Sequence, residues 1–454
     1  MSRRRTWAGT PAILVVAIWL LAFVLIAVSV VWGRAYQRET PEIFLGAAPL
    51  VGRDFRDGWH WRFGWSLVGA ALLALWLVVS VQRGWWWRIR LRWVVVVASL
   101  AAGAFGVLLA LTDGADGILH GAVHPTEYLA NLEITPPAGE FLRTFVDRID
   151  DYSVHVRGHP PGFVLVLMGM DAVGLGGGWP TAMLSVLGTI ALPAAVLVTV
   201  WATAGPDWVR RAAPLLVVPP YALWMVTSAD AVFTAVGAWG VAFCALGLRA
   251  GGRWPVVYGA LSGAMLVALL FMTYGGATYL LTPITLAVAT AVWRRRAGRS
   301  NRPVVEVVAA AMVVAAAVTA AFWALGFWWF EGAAETRLQY WAGTAQFRTW
   351  TYFGIANIAV ALIALGPATL SGLTTLRDRW MWVLVGGGAL ALMVSHLSQY
   401  TRAEVERIWL LFYPWIAIAG AALVQRRRPW LGPGWIAVQA ACAILLQAAL
   451  VSKW

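Results

Sequence analysis

Thirteen apolar runs, most of them close to twenty residues long, constrain the fold of this 454-residue chain more than any other feature. They cover residues 11–33, 64–82, 93–112, 180–203, 213–228, 231–248, 255–273, 276–293, 304–327, 352–373, 381–397, 408–424 and 433–451. A bilayer core about 30 Å thick is crossed by ~20 apolar residues in a helix, so each run reads as a transmembrane helix. The composition leaves no other home for them. Hydrophobic residues make up 61% of the chain and charged residues 12%, against about 45–50% and about 25% in soluble domains. A soluble domain, a disordered chain and a nucleic-acid partner are therefore excluded, the last despite a net charge of +13. The expected class is an all-α polytopic membrane protein in the plasma (inner) membrane, forming one transmembrane domain. Within it, residues 1–92 read as an N-terminal helical hairpin, 93–179 as a helix with a large outer loop, and 180–454 as the remaining helices. The first run is too long for a signal peptide and lacks a small-residue cleavage site. Cys244 and Cys442 lie in apolar runs, so no disulfide framework or cysteine metal site is expected.

The arginines orient the bundle. With the N-terminus inside, the short inner loops hold 21 basic residues and three acidic ones, Asp207, Glu306 and Asp378, while the outer side holds 13 basic and 18 acidic residues. That satisfies the positive-inside rule at every short inner loop. All six histidines then fall on or beside the outer face, and chemistry is expected there. Residues 160–178 are apolar but interrupted by glycines and by Asp171. Counting them as a span would invert every later loop, so they are expected to lie along the interface or dip in and return, as buried segments can.

The outer segment 113–162 concentrates ionisable groups. Asp113 and Asp116 stand where the third helix leaves the membrane, a position where an apolar wall can tune a carboxylate for base work. Glu127, Asp151 and Tyr152 follow. In His155-Val156-Arg157-Gly158-His159, an extended backbone would put the three polar side chains on one face. Such a cluster suits a phosphate, with the arginine as bidentate partner. Pro160 and Pro161 stiffen its exit. Glu404, Glu406 and Arg407 lie at the outer boundary of the twelfth run, where charge is expensive unless paired or functional. Asp230 marks a tight outer turn. Trp328, Trp329, Trp341 and Trp350 are belt residues or sugar-stacking faces. No metal-binding motif is evident, so a divalent ion has weak support and no cofactor is assigned.

With these residues in view, the chain resembles the GT-C superfamily of membrane glycosyltransferases, in particular its protein O-mannosyltransferase and aminoarabinose transferase branches. Glu127-Tyr128-Leu129 is similar to the acidic start of that family's first large outer loop. His159-Pro160-Pro161-Gly162 resembles its Pro-Pro element about thirty residues later, and Asp230 resembles an acidic residue of a later outer turn. Two features depart from the pattern. The long loop follows the third helix rather than the first, and an adjacent Asp-Glu pair is absent. Asp113, Asp116 and Glu127 thus compete for the base role, with Asp54 and Asp57 behind them.

The resemblance implies inverting transfer of a hexosyl or pentosyl group from a polyprenyl-phosphate-linked donor to a hydroxyl on a glycan, lipid or protein acceptor, at the outer face. His155, Arg157, His159 and Arg407 would bind the donor phosphate, and Tyr128, Asp151, Tyr152, Asp230, Glu404 and Glu406 would contact substrate. Membrane lipids are the other partner. The competing reading is a transporter or flippase for a lipid-linked or polar solute, which the helix count favours and the loading of one face opposes.

Overall fold

The computed structural model describes residues 12–43, 58–426 and 430–451. The expected candidates Asp54 and Asp57, together with Arg3–Arg5, Arg427 and Arg428, lie outside the described residues. The long elements run, in chain order, α1 (Ala12–Glu39), α2 (Trp65–Gln82), α3 (Leu91–Ala110), the short α4 (Asp116–Val123), α5 (Gly162–Ala172), α6 (Gly178–Thr203), α7 (Asp230–Arg249), α8 (Trp254–Met272), α9 (Leu281–Arg296), α10 (Arg302–Ala324), α11 (Trp329–Ala342), α12 (Trp350–Thr375), α13 (Arg379–Leu397) and α14 (Leu431–Ala449). Among the described residues, eleven helices are long and apolar enough to cross a membrane, or twelve if the bent pair Val405–Leu411 and Tyr413–Leu423 counts as one span. This is the architecture of an all-α polytopic membrane protein. The segment expected to stay out of the membrane forms α5, which at eleven residues is too short to cross.

Two of the thirteen expected helices are corrected. Residues 213–228 form no spanning helix; they make two 3₁₀ turns, Ala213–Leu216 and Pro220–Trp224. Pro214, Pro219 and Pro220 lack the N–H groups a continuous α-ladder needs. The segment nonetheless travels the length of the bundle. Gly188 packs on Ala231 and Arg249 donates to the Trp201 carbonyl, so α6 and α7 run parallel and residues 204–229 must return from one end to the other. Residues 212–231 are all buried, the condition under which irregular backbone survives at membrane depth. Residues 408–424 are likewise broken, bending by 77° between Val405–Leu411 and Tyr413–Leu423. Pro414 at the second helical position, after Phe412, marks the break.

Among the described residues, the first two helices pack mainly against different partners. α1 lies along α12, where Tyr352 Oη donates to the Ser29 carbonyl at 3.0 Å and Trp19 Nε1 to Ser371 Oγ at 3.1 Å. α2 lies along α3 and α14. α8 and α10 approach closely through Gly259 and Gly263, where a Cβ would stand 2.6 and 2.5 Å from the Val307 and Ala311 carbonyl oxygens. This is the small-residue packing of helices in lipid.

Helix directions gather the charges at two ends. Arg210 donates to the Trp86 and Ile89 carbonyls and Trp293 packs on Trp380, uniting the arginine-rich connections. The opposite end carries Asp113, residues 114–177, Ser228, and residues 325–349 and 398–407. Single cysteines at Gly139 and Gly298 are expected to react with impermeant thiol reagents from opposite sides of the membrane. Labelling of both from one side would contradict this arrangement.

Candidate functional site

Four separated segments of the acidic end meet around one guanidinium. Glu127 sits on the turn after α4, where its N–H donates to the His124 carbonyl at 2.9 Å. His155 sits on a helical turn, Val154–Arg157. Asn131 staples these two turns together: its Nδ2 donates to the Glu127 carbonyl at 2.8 Å and to Ser153 Oγ at 2.7 Å, and its Oδ1 accepts from the Ser153 N–H at 2.7 Å. Asp230 opens α7, where Ser228 Oγ donates to its Oδ2 at 2.6 Å. Arg407 lies on the turn Val405–Ile408, in the first limb of the bent pair.

Arg407 Nη1 reaches Glu127 Oε1 at 3.1 Å, and its Nε reaches Asp230 Oδ2 at 3.0 Å. His155 Nδ1 stands 2.9 Å from the same Glu127 oxygen. Relative exposures are 4% for Glu127, 3% for Arg407, and 8% for both His155 and Asp230, so water contributes little to their solvation. Burying these charges is costly unless they are paired and hydrogen-bonded, and the shared arginine makes this possible.

Burial alone would push the Glu127 carboxyl up. The charge and hydrogen bond of Arg407, with His155 close by, outweigh it and hold the group down at about 2. A lowered carboxyl contributes stability above its unfolded pKa and loses it as pH falls through the folded value. The protein is therefore expected to lose thermal stability progressively from about pH 4.5 toward 2, and Glu127→Gln to remove part of that acid dependence. An unchanged pH–stability curve in Glu127→Gln would contradict the pairing.

His159 is affected differently. Burial lowers it to about 4, with Asp230 opposing, so it is uncharged near neutral pH. Its Nδ1 stands 2.7 Å from the His155 carbonyl, which can only accept. The proton therefore resides on Nδ1 and Nε2 is left as an acceptor. Tyr128 packs between these histidines, stacked with His155 at 6.3 Å and edge-on to His159 at 5.6 Å. Burial raises its phenol further, as do the nearby carboxylates of Asp230 and Glu127, so it remains a donor. Tyr128 Oη and Glu127 Oε2 are buried and find no hydrogen-bond partner among the described residues. Orphaned buried polar atoms are uncommon and mark seats for a ligand or water. A small cavity is lined by Tyr128 with Phe163, Thr181, Ser185 and Ala229.

The other expected site residues divide. The extended reading of residues 155–159 is corrected: residues 154–157 are helical, so His155 and His159, four apart, share a side and Arg157 turns away. Arg157 is half-buried, and its carbonyl accepts from Thr336 Oγ1 of α11. Asp113 is exposed and pairs with Arg62 at 2.5 Å, away from Arg407, and Asp116 is exposed on α4. Asp151 is exposed and pairs with Arg148 at 2.9 Å. Tyr152 packs into an aromatic cluster with Phe141 and Phe145. Glu404 pairs with Arg348 at 3.1 Å and faces Arg407 and His155 through space. Glu406 is fully buried beside Tyr413. Asn131 and Ser153 were not singled out from the sequence; neutral polar residues in a polar loop give no signal there. Among the described residues no three His, Cys, Asp or Glu side chains stand close enough to hold a metal ion.

No known protein family matches the sequence, and no match is found among curated proteins or solved structures.

Proposed function

We propose that this protein is a membrane glycosyltransferase of the GT-C type, moving a sugar from a polyprenyl-phosphate donor to an acceptor hydroxyl at the outer face of the plasma membrane. The observation that carries the reading is the buried sharing of Arg407 between Glu127 and Asp230 at the polar end of the bundle. It supplies two carboxylates for base work and a planar cation for a phosphate.

In the reaction, the acceptor oxygen attacks the anomeric carbon and the bond from that carbon to the phosphate oxygen breaks. The electron pair leaves with the polyprenyl phosphate, and the hydroxyl proton passes to Glu127 or Asp230. A single displacement inverts the anomeric centre. While Glu127 holds Arg407 it is a weak base. When the donor phosphate draws the guanidinium toward itself, Glu127 stays buried with less positive charge beside it, and its proton affinity rises. Donor binding therefore comes before base action. Tyr128 donates a hydrogen bond to a substrate oxygen.

The test is the affinity of the purified protein for a short-chain polyprenyl phosphate. Hydrogen bonds to a charged partner contribute about 1.5–3 kcal/mol each, so Arg407→Lys, which keeps the charge but loses the planar fork, is expected to weaken binding by about one to two decades. Arg157 turns its side chain away from the cluster, so Arg157→Ala should bind close to wild type. Unchanged affinity in Arg407→Lys would contradict the donor assignment.

A further inference from the structure

Among the described residues, the only non-glycine residues with positive φ lie in one loop: Gln399 at 62°, Ala403 at 71° and Glu404 at 61°. Left-handed backbone is disfavoured for a residue with a Cβ and persists where the surroundings over-determine it. Here the restraints come from α11, α12 and the link between them. Arg348 Nη1 donates to the Arg402 carbonyl at 2.6 Å, while the Arg402 guanidinium donates back to the Arg348 carbonyl. Arg348 Nη2 pairs with Glu404 Oε1 at 3.1 Å. Asn357, 1% exposed, donates from Nδ2 to the Thr401 carbonyl at 2.7 Å and accepts the Ala403 N–H at 3.1 Å. The Arg402 N–H donates to Tyr340 Oη at 3.0 Å, and the Arg402 side chain lies 4.6 Å over the Trp341 ring. The next residues form the turn Val405–Ile408 that carries Arg407.

We propose that Arg348 and Asn357 are positioning residues: their clamp holds residues 399–404 in this strained shape and thereby sets Arg407 between Glu127 and Asp230. The inference deepens the functional reading and rests on it only in taking the placement of Arg407 to matter for turnover. Glu404 links the two levels, since its carboxylate closes the clamp on Arg348 and faces Arg407 from behind. Release of the clamp lets the loop relax and draws Arg407 back. Glu127 is faced by Arg407 from the turn after the loop and by His155 from the turn Val154–Arg157, with Tyr128 adjacent in sequence and Asp230 of α7 across the guanidinium. With Arg407 withdrawn, burial dominates and the Glu127 carboxyl binds a proton more readily.

The experiment follows the infrared band of protonated carboxyl groups against pH in the full-length protein in detergent, with Glu127→Gln identifying the Glu127 contribution. In Arg348→Ala and Asn357→Ala that contribution is expected at least one pH unit above its wild-type position, a tenfold rise in proton affinity. Arg348→Lys, which can restore the pair with Glu404, should return part of the way. A merely structural role would lower thermal stability without moving the band. If Arg348→Ala fails to fold, Asn357→Ala and Arg348→Lys carry the comparison. Folded clamp variants whose Glu127 band titrates at the wild-type pH would overturn the proposal. The readout does not depend on sugar transfer: a shifted band without transfer by the wild type removes the transferase reading and keeps the clamp, and transfer with an unshifted band does the reverse.

Discussion

Arg407→Ala will be the most damaging single substitution in the acidic end of the bundle, costing about 3–5 kcal/mol, the usual result of stripping one partner from a buried ion pair. The loss comes less from the contacts removed than from what remains. Glu127 and Asp230 are 4% and 8% exposed, and without the guanidinium Glu127 keeps only His155 and Asp230 only the Ser228 hydroxyl. Folded proteins are stable by only about 5–15 kcal/mol, so the variant should unfold at a much lower temperature or fail to leave detergent extraction as a monodisperse species. The physical cause can be separated from the loss of bulk. In Glu127→Gln/Asp230→Asn/Arg407→Met the charges disappear together, and most of the stability should return, because a neutral, well-packed replacement of a buried ion cluster is often neutral or stabilising. Thermal unfolding of wild type, single and triple variants in the same detergent measures this. An Arg407→Ala protein as stable as wild type would contradict the assigned pairing.

Glu127→Gln should slow transfer by about 10²–10⁴-fold, the range typical of a lost general base. The amide keeps the shape of the side chain and its contact with the Asn131 staple, which uses the Glu127 backbone carbonyl. Asp230→Asn should fall in the same range if the proton passes to Asp230. Asp113→Asn should leave the rate near wild type, since Asp113 is exposed and tied to Arg62, which itself anchors the end of α14 through the Gln447 and Leu450 carbonyls. The measurement is the initial rate of transfer at saturating donor. Wild-type rates in both Glu127→Gln and Asp230→Asn would remove the carboxylates from the chemistry.

Hydropathy and charge made the polytopic helical class legible, because spanning helices must be apolar over their whole length and arginines collect at one end. They did not reveal backbone regularity. Residues 213–228 and 408–424 are as apolar as their neighbours, yet prolines and close packing turn one into 3₁₀ turns and bend the other. The site was legible in its parts. Arg407 stands out as a charge at a membrane boundary, His155 as part of a cationic cluster, Asp230 at a tight outer turn, and Glu127 as an acidic residue of the outer loop whose sequence resembles the family's loop start. Their convergence was not, since Glu127 and Arg407 are 280 residues apart in sequence and nothing local records that they meet. The same boundary logic also singled out Asp113 and Asp116, which the fold leaves exposed. Reading residues 155–159 with the period of an extended chain grouped Arg157 with the histidines, and the helical turn separates them.

The most direct measurement reconstitutes the purified full-length protein in vesicles with a panel of polyprenyl-phosphate sugars and hydroxyl-bearing glycan, lipid and peptide acceptors, and reads every product by mass. The expected result is an acceptor heavier by one sugar residue, with an equal amount of polyprenyl phosphate released. No mass gain with any donor and acceptor, together with passage of a lipid-linked or polar solute across the vesicle membrane, would contradict the transferase account and establish a transporter in its place.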